Sequence, residues 1–126
     1  MVLPLTEMTK KDVPANWSVQ AHTAFERLKN SIIDAPVLKH PDMSKPFKLI
    51  CDASNYASGA ILAQEDDKGM LHPCAFSSYK FNQAEKNYHT EERELLAVIK
   101  GLKLFRCYLE GNHFTVVTDH NPLKFF

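Results

Sequence analysis

The chain has 126 residues, room for one domain with a real core and too few for two of comfortable size. Its apolar fraction is 44% and its charged fraction 24%, which is ordinary for a globular protein. Lys plus Arg and Asp plus Glu are 15 each, so net charge excludes a strongly basic or acidic chain but leaves room for a local basic patch.

No run approaches the apolar length of a membrane span, and the start, "MVLPLTEMTKKD", lacks the long apolar stretch of a signal peptide. Cys51, Cys74 and Cys107 are scattered and odd in number, which points to reduced thiols in an intracellular setting. Their surroundings read as those of small buried residues. His72 and Cys74 in "HPC" have no C-x-x-C or H-x-x-x-H partner, which argues against structural zinc.

In chain order, residues 1–16 read as a polar linker or the end of a preceding domain. "WSVQAHTAFERLKNSIIDAP" predicts a helix, with Trp17, Ala21, Ala24, Phe25, Leu28 and Ile32 at helical spacing, Ser18 as N-cap and Pro36 just past the end. After a proline-bearing connector come three strand-like runs: Phe47–Cys51, Gly59–Gln64 and about His72–Ser77. Phe47, Leu49 and Cys51 share one face, and Asp67-Lys68-Gly69 is a hairpin signal between the second and third runs. "NYHTEERELLAVIKGLKLFRCYLEGN" predicts one long helix with a buried stripe of Leu95, Val98, Ile99, Leu102, Phe105 and Leu109. Asn87 or Thr90 is the expected cap, and Gly111 the expected residue after the helix. His113–Thr118 is a fourth strand, and "NPLKFF" reads as the opening of another helix, capped by Asn121 with Pro122 at its first position. A strand returning after a helical crossover is expected to run parallel to a strand of the meander, so the class is α/β with a mixed sheet.

Three acidic residues stand out by position. Asp52 ends the first strand, Asp119 ends the fourth, and Glu94 lies at the margin of the long helix's apolar face. If the two strands are parallel neighbours, their carboxyl ends lie side by side and the helix delivers Glu94 to the same spot. Three close carboxylates call for a counter-charge, and oxygen ligands without Cys or His suit Mg²⁺ or Mn²⁺. Taken singly, each has an ordinary reading: Asp52 as an Asx-turn former, Asp119 as a helix cap, Glu94 as a solvated helix residue.

At these residues the chain resembles the ribonuclease H-like domain of gypsy-type LTR retrotransposon reverse transcriptases, part of the Pol polyprotein. The matching stretches are "AFERLKNSIIDAPVLKHPDMSKPF", "CDASNYASGAILAQ", "HPCAFSSYKFNQAEKNYHTEERELLAVIKGLKLFRCYLEG" and "FTVVTDHNPLKFF", in the family's order. The resemblance implies a ribonuclease H-like fold over residues 47–126. It makes residues 1–46 the tail of a polymerase or connection segment with one helix. It also implies metal-dependent hydrolysis of the RNA strand of RNA–DNA hybrids, with Asp52, Glu94 and Asp119 as catalytic and metal-holding residues. Two Mg²⁺ or Mn²⁺ ions about 3.5–4 Å apart, bridged by Asp52, are the implied cofactors. The implied partners are the hybrid, read by groove shape and 2′-hydroxyls, and the polymerase domain of the same polyprotein. Ser54, Asn55 and the loop Ser77–Gln83 are candidate nucleic-acid contacts. The implied location is intracellular, in a cytoplasmic retrotransposon particle or the nucleus.

The family carries a fourth carboxylate beyond "TDH", and no acidic residue follows Asp119 in this sequence. The expectation is a domain incomplete at its C-terminus, with an uncovered sheet face or edge. The competing reading is a non-catalytic remnant serving as a structural or interaction module. A transposase or integrase is disfavoured, since those enzymes need a glutamate after both aspartates.

Overall fold

The computed structural model describes residues 3–14, 16–34 and 37–119. The chain forms two compact units, Met1–Pro36 and Val37–Phe126.

In the first unit, α1 (Leu3–Glu7) packs on α2 (Val19–Ile33), so the segment read as a linker carries a short helix of its own. Ser18 caps α2 as predicted: its hydroxyl accepts the Ala21 N–H at 3.1 Å. The expected apolar stripe is only partly covered. Ala21 and Ala24 are buried, while Trp17, Phe25 and Ile32 are exposed. Trp17 and Phe25 meet edge to face with centroids 5.9 Å apart, so these two rings shield each other. Pro36 lies outside the described residues.

The second unit is built on a four-stranded sheet of β1 (Phe47–Ala53), β2 (Ala57–Glu65), β3 (Leu71–Lys80) and β4 (Phe114–Val117), in the order β3-β2-β1-β4. β1–β2 and β2–β3 are antiparallel, and β4 returns parallel to β1, which is the mixed sheet the sequence predicts. The β2–β3 turn is where expected. Gly69 takes φ +77°, a left-handed conformation that glycine adopts without a Cβ penalty. Asp66 Oδ1 accepts the N–H groups of Lys68 and Met70 at 2.9 and 2.8 Å and ties the turn together.

Residues 37–46, grouped with the N-terminal segment on sequence, belong to the sheet unit. The reason is Gln64, fully buried on β2. Its Oε1 accepts the Asp42 N–H at 2.8 Å, and its Nε2 donates to the carbonyls of Asp42 at 2.7 Å and Lys45 at 3.1 Å. A buried amide is tolerable only when satisfied in this way.

The core forms where β1 and β2 meet α3 (Thr90–Leu104) and α4 (Arg106–Leu109). Phe47, Leu49, Cys51, Ala60, Leu62, Ala97, Phe105 and Leu109 are buried together. Three expectations about this helical region change. The single long helix is interrupted at Phe105, whose backbone (φ −92°, ψ 16°) leaves the helical region while its ring enters the core. The N-cap is His89, not Asn87 or Thr90; the His89 N–H donates to Glu92 Oε2 at 2.9 Å, the return half of a capping box. Of the predicted stripe, Phe105 and Leu109 are buried in the core and Val98 and Leu102 pack against it, while Leu95 and Ile99 are exposed; the most buried positions of α3 itself are Glu94, Ala97 and Gly101. Close approach of helix to sheet selects small residues. A Cβ on Gly101 would meet Cys51 Sγ at 3.2 Å, Ala60 Cβ at 3.3 Å and Leu49 Cδ1 at 3.4 Å. Gly111 follows α4 with φ +82°, as predicted.

Ser77–Lys80 belong to β3 and Phe81 is buried, so the expected loop Ser77–Gln83 is mostly strand. Cys51 is buried and Cys74 half-buried, but Cys107 is exposed, against the expectation of three buried thiols. The helix read from "NPLKFF" lies outside the described residues. No helix of the described residues is long and apolar enough to cross a membrane.

Candidate metal centre

The parallel pairing of β1 and β4 sets Ile50 opposite Val117. Asp52 and Asp119 each follow two residues later, so the alternation of the strands carries both to the same end of the sheet. α3 crosses β1 and β2 with Glu94 on its inward face, 5% exposed. One carboxylate oxygen from each of Asp52, Glu94 and Asp119 lies within 4.8 Å of the other two. The three residues singled out on sequence therefore converge, from two strands and a helix. Glu94 is buried and both aspartates face solvent, beside a cavity of about 320 Å³ lined by Ile50, Cys51, Asp52, Val117, Thr118 and Asp119.

The donor set fits a hard divalent cation. Oxygens opposite one another across Mg²⁺ are roughly 4.1 Å apart, so atoms already within 4.8 Å need small movements to share an ion. The local field is negative. The Cys51 thiol is pushed up to about 11, first by burial and then by the charge of Glu94. Among the described residues, His72 and Cys74 join no metal-binding group; His72 instead pairs through Nε2 with Asp66 Oδ2 at 2.9 Å.

Ser54 and Asn55 form the β1–β2 turn just past Asp52. The Ser54 hydroxyl donates to Ala57 O at 2.9 Å and accepts the N–H groups of Tyr56 and Ala57 at 3.3 and 3.1 Å. Asn55 Oδ1 accepts from Arg93 Nη1 at 2.8 Å, and Arg93 Nη2 donates to Thr90 Oγ1 at 3.2 Å. Sequence reasoning missed Arg93. Its neighbour Glu94 drew attention, but nothing in the spacing of Arg93 and Asn55 announces a contact across 38 residues. A second tie on the far side of α3 was also missed. Lys100 Nζ lies 3.7 Å from Glu85 Oε1 and 3.9 Å above the Tyr79 ring. Buried Glu85 accepts the Tyr79 hydroxyl at 3.1 Å and the Asn82 N–H at 2.8 Å.

Comparison with known proteins adds the family. Residues 17–116 match the RNase H-like domain found in reverse transcriptase, a span that holds Asp52 and Glu94 and stops short of Asp119. The chain is 41% identical over 121 residues to the retrovirus-related Pol polyprotein from transposon 412 of Drosophila melanogaster, covering 96% of the chain and 10% of that polyprotein. It is 40% identical over 122 residues to the transposon Tf2-3 polyprotein of Schizosaccharomyces pombe, covering 95% and 9%. It thus spans about a tenth of the length of these curated relatives. Among solved structures, a foamy viral protease-reverse transcriptase in complex with double-stranded DNA superimposes with a TM-score of 0.77 at 19% identity, covering 99% of this chain and 27% of that one. The same viral protein in complex with an RNA/DNA hybrid gives 0.73 at 19%, covering 94% and 16%. The fold, the matched span and the identity to the transposon polyproteins agree: the chain belongs to the RNase H-like domains found in reverse transcriptase.

Proposed function

We propose that this domain hydrolyses the RNA strand of RNA–DNA hybrids during reverse transcription, using Mg²⁺ or Mn²⁺, as part of a polyprotein that also carries a polymerase domain. The observation that supports this reading most is the convergence of Asp52, Glu94 and Asp119 within 4.8 Å. The RNA/DNA hybrid bound by a structural relative supports the substrate class.

Asp52, Glu94 and Asp119 would hold the metal through their carboxylate oxygens. When bound, a divalent ion would supply polarisation of a phosphoryl oxygen and a water made more acidic than bulk water. The protein's part is placement. β1 and β4 present the two exposed aspartates at the cavity, where a phosphate can approach, and α3 holds Glu94 fixed beneath them. Ser54 and Asn55, at the rim of the same end of the sheet, are proposed to lie beside the hybrid's backbone.

The test is cleavage of a labelled RNA–DNA hybrid by the 126-residue chain in Mg²⁺ or Mn²⁺, beside an Asp52→Asn control. Cleavage by the parent and a loss of at least about 100-fold in the variant is the expected result. A folded parent that binds metal yet leaves the hybrid intact would instead support the non-catalytic module.

A further inference from the structure

The two aspartates are placed by strand register, whereas Glu94 is carried to the site by a helix. Its position depends on how α3 sits against β1 and β2. In the last turn of α3, that distance is set by the close approach of Gly101 to Cys51, Ala60 and Leu49. Towards β3 it is set by Lys100 with Glu85 and Tyr79. At the carboxylate end the Arg93 guanidinium makes one connection. One of its nitrogens donates to Asn55, three residues past Asp52 on the β1–β2 turn, and another to Thr90 in the first turn of α3. Arg93 immediately precedes Glu94. The fork therefore joins the turn that follows one ligand to the helical turn that carries another.

We infer that Arg93 and Asn55 are positioning residues that set the separation of Glu94 from Asp52 and thereby the affinity of the site for a divalent cation. The inference rests on the proposed metal site. Groups that hydrogen-bond a metal ligand directly typically change affinity by 10–100-fold when removed, and Arg93 and Asn55, which act one step further out through the turn and the helix, belong at the lower end of that range. Charge alone makes the opposite prediction for Arg93: deleting a cation beside a cation site tightens the metal. The sign of the effect separates placement from electrostatics. Asn55→Ala adds a control that changes no charge, and Asn55 has no left-handed backbone that an alanine would strain.

The experiment is calorimetric titration of the 126-residue chain with Mn²⁺ alone, with metal-free melting temperatures measured in parallel. Arg93→Ala and Asn55→Ala are each expected to weaken Mn²⁺ binding about tenfold while the metal-free melting temperature stays nearly unchanged. The double variant should lose no more than either single one, because both remove the same contact. Arg93→Lys, which keeps the charge without the fork, should recover part of the affinity. Unchanged or tighter binding by Arg93→Ala together with unchanged binding by Asn55→Ala overturns the inference. So do losses that simply add in the double variant. Asp52→Asn distinguishes the two levels of failure. If it leaves Mn²⁺ binding intact, the metal site itself is wrong. If it abolishes binding while the Arg93 and Asn55 variants do not weaken it, only the positioning role is wrong.

Discussion

Cys51 lies on the inward face of β1, one residue before Asp52 and beneath α3. Burial and the nearby Glu94 charge keep its thiol protonated up to about 11. The three cysteines should therefore react in order of access. Timed alkylation at pH 8 with mass spectrometry is expected to label Cys107 at once, Cys74 more slowly and Cys51 only on unfolding. Rapid labelling of Cys51 in the native chain would contradict the packing of α3 on β1. The sequence marked Asp52, Glu94 and Asp119 because a charge at a strand end or beside an apolar stripe is costly without a reason. It misjudged Cys107 because composition does not show which side of a helix faces inward once the helix breaks at Phe105.

The strands were readable because alternation is a local signal. Phe47, Leu49 and Cys51 alternate with more accessible residues, and the glycine turn at Gly69 needed no tertiary context. α3 was harder. Its helical period was plain and Val98, Leu102, Phe105 and Leu109 face the core as expected, but Leu95 and Ile99 do not, and the closest approach at Ala97 and Gly101 was not foreseen. There the sheet admits the smallest residues, which lets the helix backbone come close and brings Glu94 down to the aspartates. Gly101 is the test of this account. Gly101→Leu gains helix propensity but drives carbon atoms into Cys51, Ala60 and Leu49. Overpacking should outweigh propensity and cost roughly 1–3 kcal/mol. Urea denaturation is expected to show a lower midpoint with an unchanged slope, and Mn²⁺ affinity should fall as α3 is lifted.

At the scale of the molecule, the proposed metal site would join the ends of β1 and β4 to α3, so a bound ion and the fold would be thermodynamically linked. Three carboxylates within 4.8 Å repel one another in the metal-free protein, by about 1 kcal/mol per pair at the screening of bulk water. A bound divalent ion reverses the sign, and at 100 times its dissociation constant it adds about 2.7 kcal/mol of stability. Glu94→Gln should therefore abolish the rise in melting temperature that Mg²⁺ or Mn²⁺ gives the parent. A variant that keeps the full metal-dependent rise would show that Glu94 is no ligand. The overall topology was legible because a strand after a helical crossover has few places to go. The grouping of residues 37–46 with the sheet was not, since it rests on Gln64 reaching a backbone turn 22 residues away.

The parallel pairing of Ile50 with Val117 also governs when the site can exist. Asp52 and Asp119 become neighbours only after the chain between them has made the β1–β2–β3 meander, crossed on α3 and α4, and returned. Closing so long a loop is an entropic cost met before any contact at the site repays it, and such non-local pairings form late in folding. The carboxylates thus remain apart in partly folded chains and meet only in the finished sheet. An ion that needs all three would hold the native state by slowing its unfolding, and would do little to speed its arrival.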